Sequence, residues 1–387
     1  MDKWIEINMD AVRHNLLEVM SLLEGKTRLI AVVKANAYGH GAAAIARILC
    51  QNGVDFLGVS FFYEAMQLRS AGIKADILMF SPLVSEADVK DSIRNHLTLT
   101  IGSDDDRELL ERVCTLKNMQ VKVHLKIETG LGRFGLNEED AVTVCRRLFA
   151  NKQVQVEGIY THAADPTSHD YTMQQFQKFM QVVNRLEREG FVIPIKHMAN
   201  SAVALRSPDM YLDAVRIGTL LSGQHPVGNF PTRLQLQDPY RFKSRIISLQ
   251  TLPQGSFLAY YRSYKLKRTA QIAVIPVGFN DGLAVEVANQ PRGFLDMLKK
   301  LAKMILGYYN VSRFNLYVTI KGKEYPIRGK VFMQMALVEI PLVDEVKIGD
   351  EVEMPVRKTL ASPNINRLYV RDGETEPMAF DEGGQAL

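Results

Sequence analysis

Short apolar runs alternate with longer mixed segments through the first part of this 387-residue chain. The runs lie at Leu29–Lys34, Phe56–Ser60, Ile77–Ser81, Leu97–Ile101, Val121–Glu128, Val156–His162, Ile195–Asn200 and Ala214–Gly218. Each has the length of a strand. Asn8–Glu24, ahead of the first run, carries apolar residues near helical spacing. The stretches Ala42–Gln51, Tyr63–Ala71, Asp105–Val113, Glu139–Ala150 and Tyr171–Glu189 are long enough for helices between later runs. Repeated strand–helix units imply parallel strands joined by right-handed crossovers. Eight of them predict an α/β fold, a (β/α)8 TIM-like barrel in which every strand loses its exposed edge.

The pattern changes near Pro239. From Arg245 the runs shorten and turn signals multiply, with strands expected at Ile246–Leu252, Ala270–Pro276, Leu316–Ile320, Gly329–Phe332, Ala336–Ile340 and Glu351–Met354. The expectation is therefore a barrel over residues 8–240, followed by a mainly β C-terminal domain over 241–371 that also takes in a first strand at 1–7. Pro291–Asn315 reads as a helical or loop insertion in that domain, and the polar tail 372–387 as disordered.

Composition narrows the function classes. Apolar residues make up 47% of the chain, enough for a core in each domain, and 47 basic against 43 acidic residues leave a net charge of only +4. The charges are interspersed, which is a solvated surface and not a nucleic-acid footprint. Cys50, Cys114 and Cys145 are far apart and form no CxxC pair, so neither a disulfide framework nor a metal site is expected. No apolar run approaches the roughly 20 residues that span a bilayer. The opening Met1–Glu6 lacks the basic-then-apolar layout of a signal peptide. The expectation is a soluble cytoplasmic protein with no nucleic-acid or membrane partner.

Chemistry in a β/α barrel sits at the C-terminal ends of the strands. Here those ends carry Lys34, Lys126 with Glu128, His162, Asn200-Ser201 and Arg216. A barrel held only by packing has no need of this ring of cations and hydrogen-bonding groups. Lys34 opens Lys34-Ala35-Asn36-Ala37-Tyr38-Gly39-His40-Gly41. Burial of a lysine lowers its pKa and makes the neutral amine available to form an imine with an aldehyde cofactor. An isolated lysine at a loop is ordinarily just solvated, so its neighbours must decide.

The segment around Lys34 resembles the cofactor-lysine motif of the alanine racemases, fold-type III pyridoxal-phosphate enzymes. The likeness continues in register through Leu125–Gly135, Tyr160–Ala163, Ala199-Asn200-Ser201, Arg216–Thr219 and Val274–Gly282, over about residues 4 to 354. Several long motifs in order are far more specific than any single one. The resemblance implies a homodimeric isomerase that binds pyridoxal 5′-phosphate on Lys34 and racemises alanine or a related small amino acid. If the product is D-alanine, it implies a role in supplying cell-wall precursors. Tyr38 and Ser201 hydroxyls and the N–H groups of Gly218 and Thr219 would hold the phosphate. Arg216 would face the ring nitrogen and keep it unprotonated, with His162 behind the cofactor holding Arg216. Arg133 would bind the substrate carboxylate, with Met333 also at the substrate site. Lys126 is either carbamylated, as its counterpart in the family often is, or paired with Glu128 or another carboxylate nearby.

Racemisation removes a proton from one face of Cα and returns one to the other, which requires two bases. The resemblance implies Lys34 and a tyrosine from the partner's β domain. Counting nineteen residues back from Phe279 gives Tyr260, with Tyr261 and Tyr264 as register alternatives. Three departures put alanine specificity in question. Phe279 stands where the family has tyrosine, Gln334 where it has aspartate, and the family's later gate tyrosine is missing after Gly349-Asp350-Glu351-Val352. Three further readings therefore stand beside an alanine racemase. One is a racemase of serine or larger side chains, another a fold-type III decarboxylase, and the third a non-catalytic pyridoxal-phosphate-binding protein.

Overall fold

The computed structural model describes residues 1–117, 119–226, 234–286, 290–291, 293–308 and 315–375. They form two compact units, one of Asn8–Pro239 and the other of Met1–Ile7 with Tyr240–Thr375. The chain opens with β1 (Lys3–Asn8), and the larger unit then adds eight strands. These are β2 (Arg28–Val32), β3 (Phe56–Val59), β4 (Asp76–Met79), β5 (Leu97–Ile101), β6 (Val121–Lys126), β7 (Val154–Tyr160), β8 (Ile195–His197) and β9 (Ala214–Ile217). All eight expected strands are present, in the order β8-β7-β6-β5-β4-β3-β2-β9, with parallel pairing throughout. A single bridge between Asn200 and Arg216 links β8 to β9 and nearly closes the ring.

Local chemistry explains the outer layer. Helices Glu86–Arg94, Glu138–Ala150 and His169–Arg188 start after Ser85, Asn137 and Ser168, whose side chains accept the orphan N–H of Asp88, Asp140 and Tyr171. Acidic first turns on all three complement the helix dipole. Inside the ring, Ile30, Phe56, Leu78 and Ala214 are fully buried with Phe80 and Ile195 against them. The N-terminal rim is tied by ion pairs: Arg28 with Asp55 (2.9 Å) and Asp76 (3.5 Å), and Lys122 with Asp76 (3.6 Å) and Glu157 (2.9 Å). Glu157 is the extra residue of a β-bulge, since Val123 pairs with Val156 and His124 with Gly158.

The smaller unit is antiparallel. Its strands are β10 (Tyr240–Arg245), β11 (Ser248–Leu252), β12 (Phe257–Leu258), β13 (Tyr264–Lys265), β14 (Ala270–Ile275), β15 (Tyr317–Ile320), β16 (Lys323–Pro326), β17 (Ala336–Ile340), β18 (Glu351–Met354), β19 (Arg367–Arg371) and β20 (Glu374–Thr375). Seven make one sheet, β16-β15-β18-β10-β1-β19-β20, and three make another, β11-β14-β17.

Three expectations change here. The run at Ile246–Leu252 is not one strand, because Ile246 donates to Asp350 beside the large sheet while Ile247 donates to Val274 in the small one. Gly329–Phe332 is no strand. The backbone leaves the extended path at Gly329 (φ 72°) and turns through a Phe332 N–H to Met335 carbonyl bond. Residues 372–375 form the turn and second strand of a hairpin with β19, and residues 376–387 of the expected tail lie outside the described residues. The chemistry candidate Tyr260 lies in this unit too. It sits in the tight turn between β12 and β13, where Ala259, Tyr261 and Arg262 all take left-handed φ.

Candidate active site

A cavity of about 380 Å³ opens at the C-terminal ends of the barrel strands. Lys34, Tyr38, Arg133, His162, Ser201, Arg216, Gly218 and Thr219 all line it, and among the described residues no carboxylate does. Eight residues chosen from five separate stretches of the sequence thus meet in one cationic chamber.

Lys34 follows β2 and begins a turn in which Ala35, Asn36, Ala37 and Tyr38 all have left-handed φ, between 49° and 56°. Such a run is costly for residues with a Cβ, so it must be held. The Glu64 carboxylate accepts the N–H of Ala35 (2.5 Å), Ser60 (2.7 Å) and Phe61 (3.0 Å). The Asn36 amide oxygen accepts the Ala42 N–H at 2.6 Å. Burial, and then the charge of Arg133, lower the Lys34 pKa, while Glu64 pulls the other way.

Gly218 follows β9, its N–H donating to Ser201 Oγ at 3.2 Å. A Cβ on Gly218 would lie 2.3 Å from Tyr38 Oη, so glycine is what lets the tyrosine reach this corner. Burial raises the Tyr38 pKa to about 12, which keeps its hydroxyl a donor. The result is a corner of small groups in which the Tyr38 and Ser201 hydroxyls lie beside the backbone of Gly218, which suits an anion.

Arg216 is buried, and its guanidinium donates to the carbonyls of Thr161 (2.7 Å), Met198 (3.1 Å) and His197 (3.2 Å). It also donates to His197 Nδ1 at 2.8 Å and His162 Nδ1 at 3.2 Å. Burial lowers its pKa to about 10, far enough above neutrality that it stays charged. His162 lies well below the ordinary histidine range, through burial first and the Arg216 and Arg133 charges next.

Lys126 does not pair with Glu128. Its ammonium donates to the Phe134 carbonyl and lies 3.5 Å from the centre of the Phe134 ring, and burial lowers its pKa to about 8. Glu128 instead accepts the N–H of Gly130 (2.6 Å) and Arg133 (3.4 Å), shaping the loop that presents Arg133.

Comparison with known proteins decides the family. Residues 7–226 match the alanine racemase N-terminal domain and residues 240–368 the alanine racemase C-terminal domain. The chain is 33% identical over 354 residues to alanine racemase 1 of Oceanobacillus iheyensis, covering 91% of this chain and 87% of that one. It is 31% identical over 388 residues to the alanine racemase of Methanococcus maripaludis, covering 99% and 93%. A solved alanine racemase of Clostridium difficile 630 superposes with a TM-score of 0.86 at 28% identity, over 97% of this chain and 98% of that one. The chain belongs to the alanine racemase family.

Alanine racemases are pyridoxal-phosphate-dependent isomerases, and the expected cofactor and enzyme class agree with that. In this family member the remaining candidates, Tyr260 and Met333, lie in the smaller unit. Both are exposed there, at 63% and 61%, with the Tyr260 ring edge-on to Phe332 at 5.1 Å between centroids. Tyr261 is more exposed still, whereas the Tyr264 hydroxyl donates to the Glu339 carboxylate at 3.0 Å. Of the register alternatives, Tyr264 is therefore already engaged. Sequence reasoning missed Glu64, which sits in an ordinary helical run, and His197, whose strand gave no sign of which way the ring points.

Proposed function

We propose that this protein interconverts L- and D-alanine as a homodimer, with Lys34 and the Tyr260 of a second copy as the two bases. One observation carries the reading. Among the described residues, a cavity lined by no carboxylate joins a lysine of lowered pKa, an arginine whose hydrogen-bond partners are carbonyls and histidines, and an anion corner at Tyr38, Ser201 and Gly218. The donor set fits pyridoxal 5′-phosphate. The corner where the Tyr38 and Ser201 hydroxyls meet the backbone of Gly218 suits a phosphate, and Lys34 and Arg216 line the same chamber for the aldehyde and ring-nitrogen ends.

Bound there, the cofactor supplies an aldehyde for the substrate amine and a conjugated ring that acidifies the Cα proton. The residues of this chain do the rest. Arg216, always charged, keeps a ring nitrogen placed against it unprotonated, which weakens the ring as an electron sink and favours return of the proton to Cα. Arg133 pairs with the substrate carboxylate. Lys34 Nζ, its neutral form favoured by burial, exchanges a proton on one face. Tyr260 Oη, exposed in the smaller unit and free to reach outward, exchanges one on the other. A racemase of wider range is the second reading, favoured by Phe279 in place of a tyrosine and Gln334 in place of an aspartate.

Incubation of the purified protein with L-alanine and a panel of other L-amino acids, followed by chiral chromatography, tests both. Formation of D-alanine fastest of all supports the first, and a faster D-serine or larger product supports the second. No D-isomer from any of them ends the racemase reading. In Tyr260→Phe, turnover should fall at least a hundredfold while the cofactor's visible absorbance persists. Unchanged turnover would remove Tyr260 as a base.

A further inference from the structure

Arg216 is a buried cation beside three others, Arg133, Lys34 and Lys126, and its hydrogen-bond partners among the described residues are carbonyls and histidines. A buried charge is expensive without compensation. The compensation can be traced through the barrel axis. A guanidinium has donors only, so His197 Nδ1, 2.8 Å from Arg216, must accept. A neutral imidazole has one donor and one acceptor. The His197 proton therefore sits on Nε2, which lies 2.9 Å from His124 Nδ1. That nitrogen must accept in turn, so His124 carries its proton on Nε2, which lies 3.4 Å from the Glu157 carboxylate.

Neutral rings are what this place enforces. Burial lowers the pKa of both His124 and His197, the latter strongly and with Arg216 adding to it. Burial alone would raise Glu157, but hydrogen bonds from His124 and Lys122 outweigh it and hold its carboxyl at about 2. The rings are fixed by their packing. Tyr160 stacks on His197 (4.9 Å between centroids, 11° between planes), and the Phe56 ring meets His124 edge-on at 5.7 Å. Gly158 leaves the space His124 occupies, since a Cβ there would meet the His124 ring at 2.4 Å. The bulge in β7 delivers Glu157 to the far end of the line.

We propose that Glu157, at the opposite end of the barrel from the cavity, is a positioning residue for the active site. Through His124 and His197, both neutral and protonated on Nε2, it gives Arg216 the negative end of a hydrogen-bond relay that fixes the guanidinium's orientation and electron density. The functional consequence rests on the reading that Arg216 faces the cofactor's ring nitrogen, but the relay itself does not.

The test is heteronuclear NMR on protein labelled with 15N-histidine, which carries only eight such residues, without cofactor and as holoenzyme. His124 and His197 should both be neutral with the proton on Nε2. Glu157→Gln keeps an acceptor but removes the charge. It should move both Nε2–H protons upfield, although Glu157 touches only His124. Lys122→Met, which removes the rim partner and leaves the carboxylate, should move neither upfield. In the holoenzyme Glu157→Gln should lower kcat on the order of tenfold with little change in KM, and Lys122→Met should change neither. A proton on Nδ1 or a charged ring at either histidine overturns the relay, and this is read on the wild type whatever the variants' stability. A His197 resonance unmoved in Glu157→Gln, or an unchanged kcat, overturns the role of Glu157. Wild-type holoenzyme that forms no D-amino acid defeats the racemase reading instead and leaves the histidine result standing.

Discussion

At the scale of single residues, the site depends on who is absent as much as on who is present. Gly218 is the clearest case, because its missing side chain is filled by the Tyr38 hydroxyl. In Gly218→Ala the new methyl lies 2.3 Å from Tyr38 Oη and 2.7 Å from the ring, too close for either to stay. Overpacking of this kind costs about 1–3 kcal/mol. It falls on the anion corner, so cofactor affinity should drop roughly tenfold or more and the unfolding midpoint of the unliganded variant should fall with it. Titration of the unliganded variant with pyridoxal 5′-phosphate, followed by visible absorbance, measures this. Wild-type affinity would show that Tyr38 has no part in the corner. The pKa of Lys34 has a similarly local cause, since burial and Arg133 together favour its neutral amine over that of a solvated lysine.

At the scale of elements, the most unusual piece is the left-handed turn Ala35–Tyr38. Four successive residues with φ near 50° cost about 1–2 kcal/mol each. The turn persists because other elements over-determine it. Glu64, at the start of the helix Phe62–Ser70, binds Ala35 with one carboxylate oxygen and the N–H groups of Ser60 and Phe61 with the other. The same side chain therefore caps its own helix and anchors the cofactor lysine's turn. In Glu64→Gln one oxygen becomes an NH2 that faces a donor. The expected loss is about 2 kcal/mol of unfolding free energy, read as a lower urea midpoint, together with weaker cofactor binding. A variant with the wild-type midpoint and wild-type absorbance would mean the turn is held by Asn36 and the local backbone alone.

At the scale of the whole molecule, the barrel encloses histidines that must stay neutral. His124, His162 and His197 all have pKa values held below the ordinary range, by burial first. Their unfolded counterparts titrate near 6.5. Below that pH the unfolded chain binds more protons than the folded one, so stability falls as pH falls. With three such groups the slope approaches about 4 kcal/mol per pH unit. The thermal midpoint of the holoenzyme should be level near pH 7 to 8 and drop steeply from pH 6.5 to 5. A midpoint that does not move over that interval would mean that these rings take up protons in the fold.

Much of this was written in the chain itself. The eight runs from Leu29 to Gly218 fix eight strands because a buried strand and a covering helix differ in length and period, and both are local properties. The motifs around Lys34, Arg133, Ser201 and Arg216 name the family because their order along the chain survives without any structure. Local pattern could not say that Ile246 and Ile247 belong to different sheets, or that Gly329 turns the chain. Both depend on which backbone partners lie nearby. It could not separate a paired Lys126 from one that donates to Phe134, because Glu128 was free in sequence and committed only once the loop Gly130–Arg133 closed on it. Nor could it find the Glu157–His124–His197–Arg216 line. The direction a ring faces on a strand, and which residue a bulge re-aims, are set when strands come into register, and register is a tertiary fact.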